Sequence, residues 1–117
     1  MTLNDVLEGQ SKKVQDIFHQ LRNILVNVSP KPDEAFLGGA KVRMSSYSIA
    51  KQMVCVLGPS KDHCKLYLHH TDKVSTGSLK LEGKGKHSKT VKVKEVTPEL
   101  IKEIEVVLNN IAKIHTS

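Results

Sequence analysis

The chain has few aromatic residues, few cysteines and no long apolar segment. Its 117 residues include two Phe, two Tyr, two Cys and no Trp. The core must therefore be mainly aliphatic, and two cysteines are too few for a disulfide framework. The longest apolar run, Met53 to Leu57, is far shorter than the roughly 20 residues that span a bilayer. We expect one cytoplasmic domain over residues 1–117, without membrane association, in which residues 1–10 form a loose extension.

Two stretches show the three- and four-residue apolar spacing of amphipathic helices. The first follows Ser11, a common N-cap residue, and must end near Pro30. The second starts at Thr97-Pro98, with Thr as N-cap and Pro in the first helical position. A short earlier helical turn is expected over residues 3–8. The apolar positions are Val14, Ile17, Phe18, Leu21, Ile24, Leu25 and Val28 in the first helix, and Leu100, Ile101, Ile104, Val107, Leu108, Ile111 and Ile114 in the second.

The segments between these helices have the patterns of short strands. Apolar and polar residues alternate over residues 42–47, 63–69 and 90–94, and residues 52–57 form a short apolar run. Residues 30–40 and 58–61 are rich in Pro, Gly and Asp and are predicted to be loops. A hairpin is expected in which Cys55 and Cys64 are buried and lie opposite each other. The predicted fold class is α+β, with two terminal amphipathic helices packed on a short antiparallel sheet.

Positive charge is concentrated late in the chain, where residues 80–94 contain six lysines and one glutamate, a net charge of +5. On a strand, Lys92 and Lys94 share a side with Thr90 and extend a stripe from a glycine-rich loop over residues 83–86. The backbone amides of such a loop are suited to cradling a phosphate. The opposing interpretation is that the lysines solvate and protect an exposed sheet edge. The candidate anion- or partner-binding residues are Lys80, Lys84, Lys86, His87, Lys89, Lys92 and Lys94.

Several segments in this order resemble the YdhG-like family of bacterial proteins, a domain of unknown function. They are residues 44–47 (Met-Ser-Ser-Tyr), 61–67 (Lys-Asp-His-Cys-Lys-Leu-Tyr) and 83–86 (Gly-Lys-Gly-Lys), together with the closing helix that starts at Thr97-Pro98. The resemblance runs from about Val14 to Ile111 and implies a frataxin-like fold. Some relatives are described as iron chaperones that bind iron on an acidic ridge along the first helix and strand. Here Asp16 on the first helix is surrounded by basic residues, and Lys41 and Arg43 occupy the first strand. The other carboxylates available to iron are few: Asp5, Glu8, Asp33 and Glu34.

Other chemistries have little support in the residue pattern. His63 and His69 would lie about 20 Å apart along a strand, too far to share a metal ion, so the histidines are expected at the surface. Cys64 falls on the apolar face of its strand, where a thiol is not a poised nucleophile. Residues 83–86 do not complete a Walker-type phosphate loop. Tyr67 is the one aromatic side chain near the basic segment, whereas single-strand binders stack bases on several. We therefore expect no catalytic residues, no metal site and no enzymatic activity.

The leading hypothesis is a small non-catalytic binding or carrier module without a cofactor. Its basic loop and strand would meet an acidic protein or a phosphorylated ligand, and the chain would be a monomer or a weak homodimer. Two alternatives stay open. One is a frataxin-like iron chaperone, which would bind iron. The other is sequence-independent binding of nucleic acid through phosphate contacts.

Overall fold

The computed structural model describes residues 2–27, 32–38, 43–70 and 88–116. Helices lie at both ends of the described chain, and an antiparallel sheet lies between them, so the predicted α+β class is confirmed. The predicted loop over residues 83–86 lies outside the described residues. In chain order the elements are α1 (Leu3–Leu7), α2 (Lys12–Val26), β1 (Asp33–Gly38), β2 (Arg43–Ile49), β3 (Gln52–Pro59), β4 (Cys64–His69), β5 (Ser88–Val93) and α3 (Pro98–Thr116).

The predicted helix starts are confirmed by their capping hydrogen bonds. The hydroxyls of Ser11 and Thr97 each accept the backbone N–H three residues later, at 3.2 Å. Pro98 opens α3, where its missing N–H costs nothing. At α1 the Asp5 N–H donates to the Thr2 hydroxyl, and the Thr2 N–H donates to the Asp5 carboxylate at 2.8 Å, which lowers the pKa of Asp5. None of the helices within the described ranges has both the length and the apolar content needed to cross a bilayer.

One cluster of buried residues joins the helices to a single face of the sheet, which we call the core face. α2 and α3 contribute the apolar stripes expected from their spacing, and α1 adds Val6 and Leu7, which are 1% and 5% exposed. The inward-facing residues of the sheet include Tyr47, Cys55, Leu57, Cys64, Leu66, Leu68, Val91 and Val93. All the helices in the described residues therefore pack on the same side of the sheet.

The sheet is a meander in the order β1-β2-β3-β4-β5, with each strand antiparallel to the next. The loop predicted over residues 30–40 is wrong, because Asp33–Gly38 pairs with β2 along its whole length. Asp, Glu and Gly are poor strand formers, but strand propensity depends strongly on cross-strand neighbours. Here Glu34 is paired with Tyr47 and accepts a hydrogen bond from its hydroxyl. The local sequence of β1 does not reveal this contact.

The hairpin of β3 and β4 is confirmed, but its turn lies two residues later than predicted. β3 continues through Pro59, and the turn closes where the Ser60 N–H donates to the His63 carbonyl at 2.8 Å. The expected pairing of Cys55 with Cys64 is therefore wrong: Cys55 lies opposite Leu68, and Cys64 lies opposite Pro59. Both thiols are fully buried, as predicted.

A register shift in β3 places two consecutive residues in the core. Tyr47 pairs with Cys55 and Ser48 pairs with Met53, which leaves Val54 as an extra residue on β3. Val54 and Cys55 both belong to the buried core cluster, whereas strict alternation would place only one of them on the core face. Strand β2 also turns Ser45 and Tyr47 toward the core, although both are more polar than Met44.

Two residues in the left-handed backbone region connect β2 to β3. Ala50 and Lys51 have φ angles of 52° and 66°, and the flanking Ile49 and Gln52 are paired. Positive φ at both central positions is the pattern of a type I′ turn, which favours Asn-Gly because most L side chains are strained there.

Replacing Ala50 by Asn together with Lys51 by Gly is expected to raise the free energy of unfolding by about 0.5–1 kcal/mol, because the strain is relieved. Urea denaturation of the two proteins would measure the change. The same lysine-to-glycine change at Lys113, within α3, should instead cost about 1 kcal/mol. A less stable turn variant would contradict the left-handed assignment.

Candidate functional site

The face of the sheet opposite the core face carries no helix within the described residues, and we call it the open face. Its members follow from the strand pairings, because directly paired residues point to the same side. The exposed apolar side chains of the sheet lie here: Leu37, Met53 and Tyr67 are 43%, 38% and 36% exposed. One row across the open face is Leu37, Met44, Gly58, Lys65 and Lys92, and the next row is Ala35, Ser46, Val56, Tyr67 and Thr90.

Two lysines face each other at the β4–β5 end of the open face. Lys65 on β4 is paired directly with Lys92 on β5, and Tyr67 is paired with Thr90 in the neighbouring row. Side chains directly opposite in an antiparallel pair have Cβ atoms about 5 Å apart, and like charges at that separation destabilise the sheet. This part of the open face therefore combines two adjacent positive charges with a partly exposed aromatic ring.

The structure separates the residues predicted as the basic site. Lys92 and Lys94 are exposed, whereas Lys89 is half-buried and shares the face of its buried partner Leu68. Lys80, Lys84, Lys86 and His87 lie outside the described residues. Lys65, which the sequence reasoning did not select, lies beside Lys92 instead. Alternation in β4 places Lys65 on the polar face of that strand. Only the pairing of β4 with β5 shows that Lys65 lies next to Lys92.

An aspartate and a histidine flank the lysines in the β3–β4 turn. The carboxylate of Asp62 lies 2.6 Å from Nδ1 of His63, and this hydrogen bond lowers the pKa of Asp62, with a further contribution from Lys94 and Lys92. The expectation of a surface histidine is wrong for His63, which is 8% exposed because the turn folds it inward. Its Nε2 has no hydrogen-bond partner among the described residues.

A polar groove of about 700 Å³ runs around the end of the sheet. It lies between the α1–α2 connection and the β3–β4 turn, and its floor includes part of the open face. Arg43 crosses this end of the molecule, where it donates to the Asp5 carbonyl at 2.7 Å and to the Glu8 carboxylate at 3.0 Å. The lining residues include Gly9, Gln10, Arg43, Gly58, Lys61 and Tyr67.

Carboxylates that could serve an iron site are mostly engaged elsewhere. Asp5 caps α1, Glu8 pairs with Arg43, and Glu34 accepts two hydrogen bonds from Arg22. Within the described ranges, no three His, Cys, Asp or Glu side chains are grouped closely enough to hold a metal ion. Iron binding stays an untested alternative, without a ligand cluster in this part of the chain.

Both cysteines are placed for packing. Burial raises the pKa of the Cys64 thiol to about 12 and also raises the pKa of Cys55. The Cys64 thiol lies 3.6 Å from the Val14 carbonyl, against the start of α2. Neither thiol is exposed or ionised at neutral pH, which a nucleophile requires.

A thiol reagent at neutral pH is therefore expected to label the native protein on the order of a hundredfold more slowly than the unfolded protein, since labelling needs local opening. Absorbance of the released chromophore would follow the reaction. A control in urea gives the unprotected rate. Fast labelling of one thiol in the native protein would contradict the burial of that cysteine.

Comparison of the chain with protein-family models, with curated proteins and with solved structures found no match. The YdhG-like resemblance therefore stays a prediction.

Proposed function

We propose that this chain is a small non-catalytic binding module that holds a polyanionic partner, phosphorylated or acidic, on the β4–β5 end of its open face. The observation that carries the proposal is the direct pairing of Lys65 with Lys92 beside Tyr67. A bound anion neutralises both charges at once, so the repulsion between them is relieved on binding.

The position of Lys65 favours binding over edge protection. Lysines guard a sheet against aggregation when they lie on an edge strand. Lys65 lies on β4, which is hydrogen-bonded to β3 on one side and to β5 on the other. Protection of an edge therefore accounts for Lys92 but not for Lys65. Lys94, just beyond β5, is exposed and extends the positive region.

The open face also supplies contacts that are not electrostatic. Tyr67 is 36% exposed and lies between its cross-strand partners Val56 and Thr90. Because an aromatic ring lies beside lysines, one ligand can pack against the ring and form ion pairs with the lysines. By contrast, the described residues contain no exposed thiol and no grouped metal ligands, so binding is the function that their chemistry supports best.

Replacing Lys65 and Lys92 together by Gln is expected to weaken binding of a short single-stranded RNA at least about fivefold. It should also reduce the slope of log affinity against log salt by about 1 per lysine. Amide chemical shifts of the labelled protein, recorded at several salt concentrations, measure both quantities. In the unaltered protein the shifts should centre on β4 and β5.

A matched control replaces Lys102 and Lys113 by Gln. Both are exposed on α3, which packs on the core face, and the change in net charge is the same. The control should bind like the unaltered protein. Equal weakening in both double variants would show that net charge alone attracts the polyanion, and the proposed site would be wrong.

A further inference from the structure

Gly58 leaves a gap in the open face, because it has no side chain. Its backbone conformation does not require a glycine. It lies inside β3, and its φ is not among the left-handed angles of the described residues. A Cβ added at Gly58 would meet Met44 Cβ and Tyr67 Cε2 at 3.9 Å each, which is ordinary van der Waals contact. An alanine therefore fits here without strain. Glycine inside a strand weakens it, and it often marks a bulge, a bend, or a place where a ligand or another backbone approaches closely.

The gap, which we call the Gly58 slot, has walls of defined chemistry. The Cβ of Met44 lies on one side and Cε2 of the Tyr67 ring on the other. Lys65 is the direct cross-strand neighbour of Gly58, and Lys92 follows in the same row. The slot opens into the polar groove, whose lining includes Lys61. Apolar side-chain atoms on both sides of the slot thus adjoin two lysines of the same row.

We propose that the Gly58 slot is a subsite for one base of a single-stranded nucleic acid. The base rests on the Gly58 backbone between Met44 and Tyr67, and its neighbouring phosphates meet Lys65 and Lys92. This assignment depends on the proposed function, because it names the polyanion that the open face holds. One ring provides one stacking position, so the subsite holds a single base with little preference for its identity.

The central position of β3 argues against an extended peptide at this place. Peptides that add to a sheet pair with the free N–H and C=O groups of an edge strand. β3 is already hydrogen-bonded to β2 and β4, so the slot has no free backbone edge. It instead adjoins an aromatic ring and two lysines, which suit stacking combined with phosphate pairing.

The test compares a short single-stranded oligouridine with inorganic polyphosphate of the same charge. Gly58→Ala, which fills the slot, and Tyr67→Leu, which removes the ring, are each expected to weaken oligouridine binding about tenfold. Neither should change polyphosphate binding. The control Ala35→Val enlarges an exposed residue of the open face on β1, far from the lysines, and should leave both ligands unaffected. Amide spectra of each variant confirm the fold.

The tyrosine ring signals give a second readout in the unaltered protein. The chain has two tyrosines, and Tyr47 is buried at 1% exposure. Oligouridine should shift the ring protons of Tyr67 and leave those of Tyr47 in place, whereas polyphosphate should shift neither ring.

The possible failures are distinguishable. If both variants bind oligouridine normally while polyphosphate and oligouridine still depend on Lys65 and Lys92, the base subsite is wrong and the proposed function stands. If a phosphorylated peptide alone binds, with the same lysine dependence, the subsite is again wrong. If no polyanion binds the unaltered protein, both the subsite and the proposed function are overturned.

Discussion

Replacing Glu34 by Ala is expected to lower the free energy of unfolding by about 3 kcal/mol, because two partners lose their acceptor. The Glu34 carboxylate accepts hydrogen bonds from Arg22 Nε at 2.8 Å and from Arg22 Nη2 at 2.7 Å. It also accepts the hydroxyl of Tyr47 at 2.8 Å, and the Tyr47 oxygen lies 3.0 Å from the Ser45 hydroxyl. This network joins α2 to β1 and β2 at the edge of the core.

The size of the effect follows from burial. Tyr47 is 1% exposed, and the Arg22 and Glu34 side chains are 32% and 17% exposed, so water replaces the lost contacts poorly. Burial also raises the pKa of Tyr47, which keeps the phenol protonated as a donor to Glu34. Tyr47→Phe removes one hydroxyl and leaves the Arg22–Glu34 pair intact, so a smaller loss of about 1–2 kcal/mol is expected.

Urea denaturation monitored by circular dichroism measures these changes. The matched control is Asp33→Ala, which removes the adjacent carboxylate from an exposed position on β1 and should change stability by less than about 0.5 kcal/mol. If Glu34→Ala proved no more costly than Asp33→Ala, the network would not hold β1 to the core.

Replacing Leu66 by Ala is expected to cost about 3 kcal/mol, whereas replacing its neighbour Lys65 by Ala should cost less than about 0.5 kcal/mol. Leu66 is 0% exposed and lies between Leu57 and Val91 on the core face, so truncation leaves a cavity. Lys65 points to the open face, where its removal ends the repulsion from Lys92.

This comparison tests the assignment of faces on which the proposed site depends. Both substitutions lie on β4, so differences in strand propensity contribute similarly. Thermal or urea unfolding gives the two stabilities, and the Lys65 variant alone should lose affinity for a polyanion. Similar costs for the two substitutions would mean that the Lys65 side chain is packed against other residues, and the binding proposal would fail with it.

Helix α2 and helix α3 could be predicted because their signals are local. Apolar spacing, an N-cap hydroxyl and a proline at the first position all act within a few residues of one another. The burial of Cys64 and Leu66 likewise followed from alternation in β4. Strand β1 could not be predicted, because its residues are poor strand formers and are held by Tyr47 and Arg22, which are distant in sequence.

The candidate site was only partly visible for the same reason. Lys92 and Lys94 were identified from local charge and alternation. Lys65 was not, because its partner is set by the register between β4 and β5, and an intervening segment of the chain separates the two strands. The Gly58 slot was also hidden, since Gly58 was assigned to a turn that lies two residues later in the structure.

By itself the sequence determined the α+β class, the capped amphipathic helices, the buried thiols and the concentration of lysines late in the chain. Each depends on residue type and on spacing along the chain, where physical effects act over a turn of helix or a few residues of strand. Tertiary structure decided the strand register, the inward position of Tyr47 and the placing of Lys65 beside Lys92. These depend on which distant segments pair, and pairing is selected by burial of the whole core.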